Sequence, residues 1–534
     1  MPSLCSACGA PVIASDNDIE GSLSTAPTDP QMRVRFLELS KTNEPPRDDE
    51  LSLIQPFVHQ TSARLTNLDA QISRLKDRLH RLQEERRTLS KDHARNLGIV
   101  SALRRMPPEL LGEIFSWTVP STRDVLSTRL CPWVLTHVCS GWRAVALAIP
   151  SLWSMIYIDF ELKQEYPLEM VRTQLARAQL LKVHFCGTEV TDPSPQITMF
   201  ELLAQHSARW QELSLQLTCD LGLRTVNLDF ASLRRAWVQW DTMESQPPEL
   251  RSIEFFSTAT SLVDIGVLCE YRFLPTRLPA PHLLTRYDFD APWETHRQLL
   301  KSSPNLREVR IIRDFDQDED WPELGELVDL QHLRRLYVND PSCLDYLKAP
   351  NLEEIGIGII AEADTTETCR SLERFLTRSS CSPRRLCIHG LLDAQSMAAI
   401  LRKYCSFTEI MVTDEGEEDV ATQEEILSVF FTLFTISDST QPEMVLPHIT
   451  EIGFACEDAD DSLLPLFADM VDSRWRKGAL KAAELVCIET PPNPNQGAQE
   501  NLEMLREEGL HISILSGDDA NDRIERWLLR SAWT

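Results

Sequence analysis

One short apolar pattern recurs from about residue 200 onward, and it limits the possible folds more than any other feature of the sequence. In each copy an apolar residue precedes two polar residues, and two apolar residues separated by one position follow. Copies begin at Trp210, Leu233, Leu250, Leu306, Leu333, Leu352, Phe407 and Ile449, with weaker copies at Leu283 and Pro383. The last two apolar residues point to one side of a short strand, and no single copy can bury that side alone. The pattern therefore predicts stacked strands joined by helices or loops, which is an α/β fold.

The spacing of the copies is irregular. Their first positions run from 210 to 449 with a mean separation of about 27 residues, within the ~20–29 residues of a leucine-rich repeat. Residues 160–518 resemble a degenerate leucine-rich-repeat array, although most copies lack the consensus Asn. The resemblance implies an irregular leucine-rich-repeat-like solenoid. The alternative is a mixed α/β domain in which the spacing is coincidental.

The segments around the copies predict the connecting elements. Apolar periodicity indicates helices at 169–180, 369–378, 424–435 and 502–508, and strands at 181–185 and 511–515. Residues 519–534 predict a capping helix and tail, with Trp527 and Leu528 as anchors.

Composition limits the binding partners and the cellular compartment that we expect for this chain. Its 534 residues include 81 acidic and 53 basic side chains, a formal net charge of −28, which repels nucleic acid and anionic membranes. No uncharged run reaches the ~20 residues of a transmembrane helix, and the N-terminus lacks a signal-peptide pattern. The 14 cysteines show no disulfide spacing. We therefore expect a protein of the cytoplasm and/or nucleus that binds neither nucleic acid nor membrane.

Residues 1–60 are rich in Ser, Thr, Pro and Asp, and predict a disordered N-terminal tail. Cys5 and Cys8 form a lone C-x-x-C. Zinc needs four ligands, and no second Cys or His pair follows nearby. We therefore interpret these cysteines as free thiols and expect no metal or other cofactor.

A 3.5-residue apolar period marks residues 61–97, with Pro56 as the predicted upstream limit and Arg86 interrupting the stripe. The stripe consists of Leu65, Leu68, Ile72, Leu75, Leu79, Leu82 and Leu89. The pattern predicts a short coiled coil, formed with a second copy or with a partner. The other interpretation is a helix that packs against its own domain.

Residues 103–157 carry the most specific signal in the sequence. Pro107 and Pro108 pre-set the backbone for a first helical turn, and Glu109 suits the positive end of a helix. This helix has a broad apolar face made of Leu110, Leu111, Ile114 and Phe115. Two more short helices are predicted, at 133–139 and 141–149. Three such helices cannot bury all their apolar surface among themselves, which is typical of a partner-binding unit.

These residues resemble the F-box, a motif that in its family docks onto the SKP-type adaptor of cullin ubiquitin ligases. The resemblance rests on Pro107, Pro108, Glu109, Leu110, Leu111, Ile114, Phe115, Val138, Cys139, Trp142, Arg143 and Trp153. With its preceding basic coiled coil and its large downstream region, the chain resembles F-box proteins of mushroom-forming fungi. Met106 stands where the family usually has Leu, and the loop after the first helix is long.

The resemblance implies that these twelve residues form the adaptor-binding unit. Leu110, Leu111, Ile114 and Phe115 are then expected to face the adaptor, and Trp142 and Trp153 to fix the helix packing. It also implies a non-catalytic substrate receptor that binds the adaptor, through it a cullin, and a target protein on the repeat array. The alternatives are a scaffolding protein without ubiquitin chemistry, or an ordinary helical subdomain with a Trp-rich core.

No motif in the sequence favours catalysis. It contains no phosphate-binding G-x-x-x-x-G-K-[ST], no G-x-S-x-G nucleophile elbow and no H-E-x-x-H. Acidic clusters occur at 314–320, 414–419 and 457–461. They indicate either solvated loops or an acidic rim that captures a basic partner.

Overall fold

The computed structural model describes residues 30–119, 125–162, 166–225, 228–242, 245–246, 248–269, 271–315, 320–323, 325–358, 365–390, 394–413, 420–436, 445–458, 463–490 and 495–529. The chain divides into two compact units, Met1–Met106 and Pro107–Thr534. The Cys5 and Cys8 pair and the acidic cluster at 414–419 lie outside the described residues.

The first unit is helical wherever it is described, apart from short connections. Helix α1 spans Pro30–Leu39, helix α2 spans Asp48–Val100, and a 3-10 turn follows at Ala102–Arg105. For these residues the predicted disordered tail over 1–60 is therefore wrong.

Helix α2 begins earlier than predicted because its first turn is well suited to a helix N-terminus. That turn carries three acidic residues, and Glu50 accepts a hydrogen bond from the Arg47 amide at 2.9 Å. Pro56 lies inside α2 and is not its limit. There it removes one backbone hydrogen bond from a helix of 53 residues.

The apolar stripe predicted over 61–97 lies on this one continuous helix. No described residue of α2 is buried. The stripe residues are all exposed, namely Leu65, Leu68, Ile72, Leu75, Leu79, Leu82 and Leu89.

The second unit begins with a group of short helices over residues 107–153, which we call the helical module. Its elements are α3 (Pro108–Trp117), α4 (Leu135–Val138), α5 (Ser140–Ala148) and a 3-10 turn at Pro150–Trp153. The three predicted helices are therefore confirmed, with the second reduced to a single turn.

A long parallel sheet follows the helical module. Fourteen described strands are hydrogen-bonded side by side in chain order, except that β8 and β10 pair separately. The strands are β1 Met155–Asp159, β2 Leu181–Cys186, β3 Trp210–Leu217, β4 Arg235–Trp240, β5 Asp264–Val267, β6 Arg286–Asp290, β7 Glu308–Ile312, β8 Val328–Asp329, β9 Arg335–Val338, β10 Leu347–Lys348, β11 Glu354–Gly358, β12 Arg385–His389, β13 Glu409–Thr413, β14 Glu451–Asp458, β15 Ala482–Thr490 and β16 His511–Ser516. The chain thus has a mixed α/β fold.

Helices and short turns connect successive strands. The helices are α6 Leu168–Arg177, α7 Ser194–Ala204, α8 Cys219–Gly222, α9 Trp293–Ser302, α10 Thr365–Ser379, α11 Ala394–Lys403, α12 Val420–Phe434, α13 Leu463–Lys477 and α14 Gln496–Glu507. They pack against the apolar side of the sheet. Phe431 of α12, for example, contacts Phe454 of β14 with ring centroids 4.6 Å apart. We call this side the helix-covered face.

Eight of the ten predicted copies supply strands of this sheet. The copy at Leu250 is wrong, because Ile253 forms only an isolated bridge with Thr276 and Phe255 begins a 3-10 turn. The strand between β4 and β6 is β5, which follows Leu262 with the same spacing. The weak copy at Leu283 is displaced by one residue, since the strand pattern starts at Leu284.

The last described helix, α15 (Asp518–Trp527), lies on the other face of the sheet. Trp527 and Leu528 are buried, which confirms them as anchors. They share one apolar cluster with Tyr337 of β9 and Met411 of β13. The segment therefore crosses the sheet surface instead of only capping its end, because its apolar side chains find cover over several strands.

Candidate partner-binding surface on the helical module

Helix α3 divides its four predicted contact residues between two sides. Leu111 and Phe115 are buried, and Phe115 packs against Trp142 with ring centroids 4.9 Å apart. Leu110 and Ile114 are 57% and 41% exposed. The prediction that all four face a partner is therefore wrong for Leu111 and Phe115. At about 100° per residue these four positions cover an arc of roughly 140°, with Leu110 and Ile114 on one edge and Leu111 and Phe115 on the other, so only one edge points outward.

The outward side of α3 also includes Trp117, which was not among the predicted site residues. Trp117 is 84% exposed, and it follows Leu110 and Ile114 at i+7 and i+3. These spacings place the three side chains on one helix face. The apolar period of the helix was the available signal, but within α3 the residues that carry the resemblance end at Phe115. We call Leu110, Ile114 and Trp117 the α3 patch.

The connection from α4 to α5 is held by the predicted Cys139 and Arg143. The Cys139 thiol accepts a hydrogen bond from the Trp142 amide at 3.4 Å, which caps the start of α5. Arg143 donates from its Nε to the carbonyl of Thr136 at 2.7 Å. Both side chains are otherwise exposed, as is Val138.

Trp153 joins the helical module to the start of the sheet. It is fully buried and donates from its Nε1 to the carbonyl of Ala146 at 2.9 Å. Its ring meets that of Trp133 edge-on at 5.2 Å. The Trp133 indole in turn donates to the side chain of Gln174 in α6 at 3.2 Å. The predicted packing role of Trp153 is confirmed, whereas Trp142 is only half-buried.

The twelve predicted site residues thus fall into three groups. Leu111, Phe115 and Trp153 are buried, and Trp142 is half-buried. The exposed residues are Pro107, Pro108, Glu109, Leu110, Ile114, Val138, Cys139 and Arg143. The buried group holds the module together, so among the twelve predicted residues the exposed group is the one that a partner can reach.

One group of three possible metal ligands occurs in the described part of the chain. The donor atoms of Asp159, Glu161 and Cys186 lie within 4.8 Å of one another. Burial and the neighbouring Asp159 raise the pKa of the Cys186 thiol well above its usual range. Asp159 accepts from the Glu161 amide at 2.9 Å, and Glu161 accepts from Gln216 at 2.5 Å.

The face of the sheet opposite the helix-covered face carries a row of alternating charges. In register across ten neighbouring strands stand Lys182, Glu212, Arg235, Asp264, Arg286, Glu308, Arg335, Glu354, Arg385 and Glu409. Glu308 contacts both neighbours, at 2.5 Å to the Nε of Arg286 and also to Arg335. We call this the charged face.

Buried carboxyl groups lie near the centre of this face. Burial raises the pKa of Asp264 to about 6, although nearby Arg286 opposes the shift. Burial and the charge of Asp314 raise the pKa of Asp290 to about 7. These carboxyl groups are therefore partly protonated at neutral pH.

Comparison with known proteins assigns the chain to no family. No protein-family model matches it, and no curated protein matches it in sequence. None of the described helices has an apolar stretch long enough to cross a lipid bilayer.

Proposed function

We propose that this chain is a substrate-receptor subunit of an SCF-type cullin ubiquitin ligase in the cytoplasm and/or nucleus. In this proposal the helical module is an F-box that binds the SKP-type adaptor. The parallel sheet with its helices is an irregular leucine-rich-repeat-like solenoid that binds the target protein. The chain itself forms and breaks no covalent bond.

The α3 patch is the observation that carries this proposal. Three large apolar side chains lie on one face of a ten-residue helix and are exposed to water. Apolar side chains grouped in this way mark protein-binding surfaces, and aromatic residues dominate the binding energy of such surfaces. The helix belongs to the segment that resembles an F-box, which is why the SKP-type adaptor is the proposed occupant.

The proposed mechanism is proximity. The helical module fixes the receptor on the adaptor, and the sheet holds a target at a fixed distance from it. Buried contacts of Trp153, Trp133 and Gln174 join the two parts, so that the target cannot swing freely. Holding a target lysine near an activated ubiquitin raises its effective concentration.

Co-purification with the SKP-type adaptor tests the proposal. We expect the full chain to capture the adaptor, and the double variant Leu110→Asp/Trp117→Asp to lose at least tenfold in affinity. The matched control is Leu223→Asp/Tyr271→Asp, which changes one exposed Leu and one exposed aromatic residue outside the module. Failure of the wild type to bind, or equal binding by the α3-patch variant, contradicts the proposal.

The exposed stripe on α2 favours a second function, self-association as in a scaffolding protein. Leu75 and Leu79 lie in the middle of this stripe, and both are exposed. Burying a continuous heptad stripe against a second copy removes this apolar area from water. Sedimentation equilibrium of the full chain is expected to show a dimer that Leu75→Asp/Leu79→Asp converts to monomer. A dimer without adaptor capture favours the scaffold.

A further inference from the structure

The C-terminal helix α15 occupies an apolar groove on the charged face. Its buried residues Ala520, Ile524 and Trp527 follow one another at i, i+4 and i+7, so one helix side points into the sheet. The surface beneath them consists of Tyr337, Cys387, Met411, Ala455 and Val486 from five strands. We call this surface the C-terminal groove.

The groove is deepest at Gly453, which has no side chain. Gly453 lies directly under the Trp527 ring, where a Cβ atom would come within 2.8 Å of the ring carbons and 2.5 Å of the Met411 sulfur. Ala455, two positions along the same strand, is also small. A large aromatic side chain can therefore sink to the level of the backbone at this point.

Polar contacts fix the direction of the helix in the groove. Arg523 donates from its Nε to Glu484 of β15 at 2.7 Å. Beyond the helix, the carbonyls of Leu528 and Leu529 accept from Arg310 at 3.2 Å and from Arg286 at 2.8 Å. The groove thus recognises an apolar side, one basic residue, and the backbone that follows the helix.

The resident helix is poorly matched in charge to the chain as a whole. It follows β16 through Gly517, which has a left-handed φ of 62° that Gly adopts without strain. Its ten residues carry four acidic and two basic side chains, on a chain whose net charge is −28. Like charges repel, so a basic helix with the same apolar side is electrostatically favoured over the resident one.

We infer that the C-terminal groove is a binding site for a basic amphipathic helix of a partner protein, with residues 518–529 as a built-in competitor. This inference rests on the proposed function, because it describes the kind of target that the sheet would hold. The partner helix carries a small residue, an aliphatic residue and a Trp at i, i+4 and i+7. A basic residue precedes the aliphatic one and pairs with Glu484.

A fluorescent peptide tests the inference with the full chain. The probe is residues 516–529 with Asp519→Lys and Asp522→Lys, which reverses the charge of two exposed residues and keeps the apolar side. The control probe carries Ile524→Gln and Trp527→Gln in addition, so its net charge is the same. We expect the probe to bind the full-length Trp527→Ala variant at least tenfold more tightly than wild type, because the resident helix of that variant is weakly seated. The control probe should bind neither.

Hydrogen exchange of the wild-type chain supplies a readout that does not depend on the variant. Saturating probe should accelerate exchange of the amides of residues 518–529 and leave β16 protected. Equal affinity of the probe for wild type and variant, equal binding of the control probe, or unchanged exchange of 518–529 overturns the inference.

Adaptor capture by the same preparations separates the two proposals. Trp527→Ala lies outside the helical module and is expected to capture the adaptor as wild type does. Loss of adaptor capture by both chains, with displacement of 518–529 intact, contradicts the ubiquitin-ligase proposal alone. Normal capture without displacement contradicts the groove alone.

Discussion

The guanidinium of Arg177 lies over the indole ring of Trp153, 4.2 Å from its centre. Arg177 ends helix α6, and Trp153 ends the helical module, so this cation–π contact crosses the joint between the module and the sheet. Burial lowers the pKa of Arg177, yet its guanidinium stays charged at neutral pH because the ordinary pKa is 12.5. The joint thus combines apolar packing with a cation–π contact.

Replacement of Trp153 is expected to destabilise this joint. Trp153→Ala empties a fully buried site and leaves the carbonyl of Ala146 without its indole donor, so we expect a loss of about 3–5 kcal/mol in the free energy of unfolding. Thermal unfolding followed by near-UV circular dichroism measures it. Trp117→Ala is the matched control, because its side chain is exposed and its loss should cost less than about 0.5 kcal/mol. Equal effects of the two changes would show that Trp153 does not hold the joint.

We predict that position 266 must be Gly, because the ring of Trp237 on the neighbouring strand occupies the space that a Cβ atom would need. A Cβ atom at position 266 would lie 2.0 Å from the nearest carbon of that ring, so Gly266→Ala forces the ring to move and should cost about 1–3 kcal/mol. In a double-mutant cycle, Gly266→Ala should add little to Trp237→Ala, since the obstacle has been removed. Additive losses would contradict the steric explanation.

Asp290→Asn is expected to stabilise the chain in a pH-dependent manner. The pKa of Asp290 is raised from 3.8 to about 7 in the folded chain, so the folded state binds more protons than the unfolded state between these values. Stability is therefore lost as the pH rises through this range, and the loss is complete above pH 7. The neutral Asn avoids this loss while its oxygen still accepts from the Asp314 amide.

We expect the advantage of Asp290→Asn over wild type to grow by ~1–2 kcal/mol between pH 5.5 and pH 8. Urea unfolding at both pH values measures it. The exposed Asp469→Asn is the control, and its effect should be the same at both pH values. An advantage for Asp290→Asn that shrinks as the pH rises would show that the sign of the shift is wrong.

Glu308→Gln is expected to cost about 3 kcal/mol. Glu308 is buried between two arginines of the charged row, so neutralising it leaves Arg286 and Arg335 facing each other with less compensation. The control is Glu353→Gln, which breaks an exposed ion pair with Arg334 and should cost no more than about 0.5 kcal/mol. A cost for Glu308→Gln as small as that of the control would mean that the row contributes specificity without stability.

The sequence predicted most strands because each of them buries apolar residues at the same spacing. The same spacing also starts at Trp153, Leu262, Leu284 and Leu480, which precede β1, β5, β6 and β15, so these strands could have been found as well. The copy at Leu250 failed because the pattern alone does not report which of two nearby copies pairs with β4.

The charged row and the position of α15 depend on information that local periodicity lacks. Glu212 and Arg235 are neighbours only once the register of β3 and β4 is known. Likewise, Arg310 and Leu528 lie 218 positions apart in the chain, and no local pattern joins them. On the helical module, the short helices were predicted from apolar periodicity, but helix geometry decided which of their residues face outward.

Because positive and negative residues alternate along the charged row, the number of strands in the row can change only by an even number if opposite charges are to stay paired. Deleting or duplicating a single strand within the row would bring two like charges into register, whereas gaining or losing two strands together would preserve the pairing. Glu409 and Glu451 are the point where the rule already fails, since two acids adjoin there and Glu451 reaches past its neighbour to Arg385 at 3.6 Å. Adding or removing two neighbouring strands at a time would therefore keep the alternation of charges from β2 to β13. A single strand could be added or removed without bringing like charges together only beyond β13.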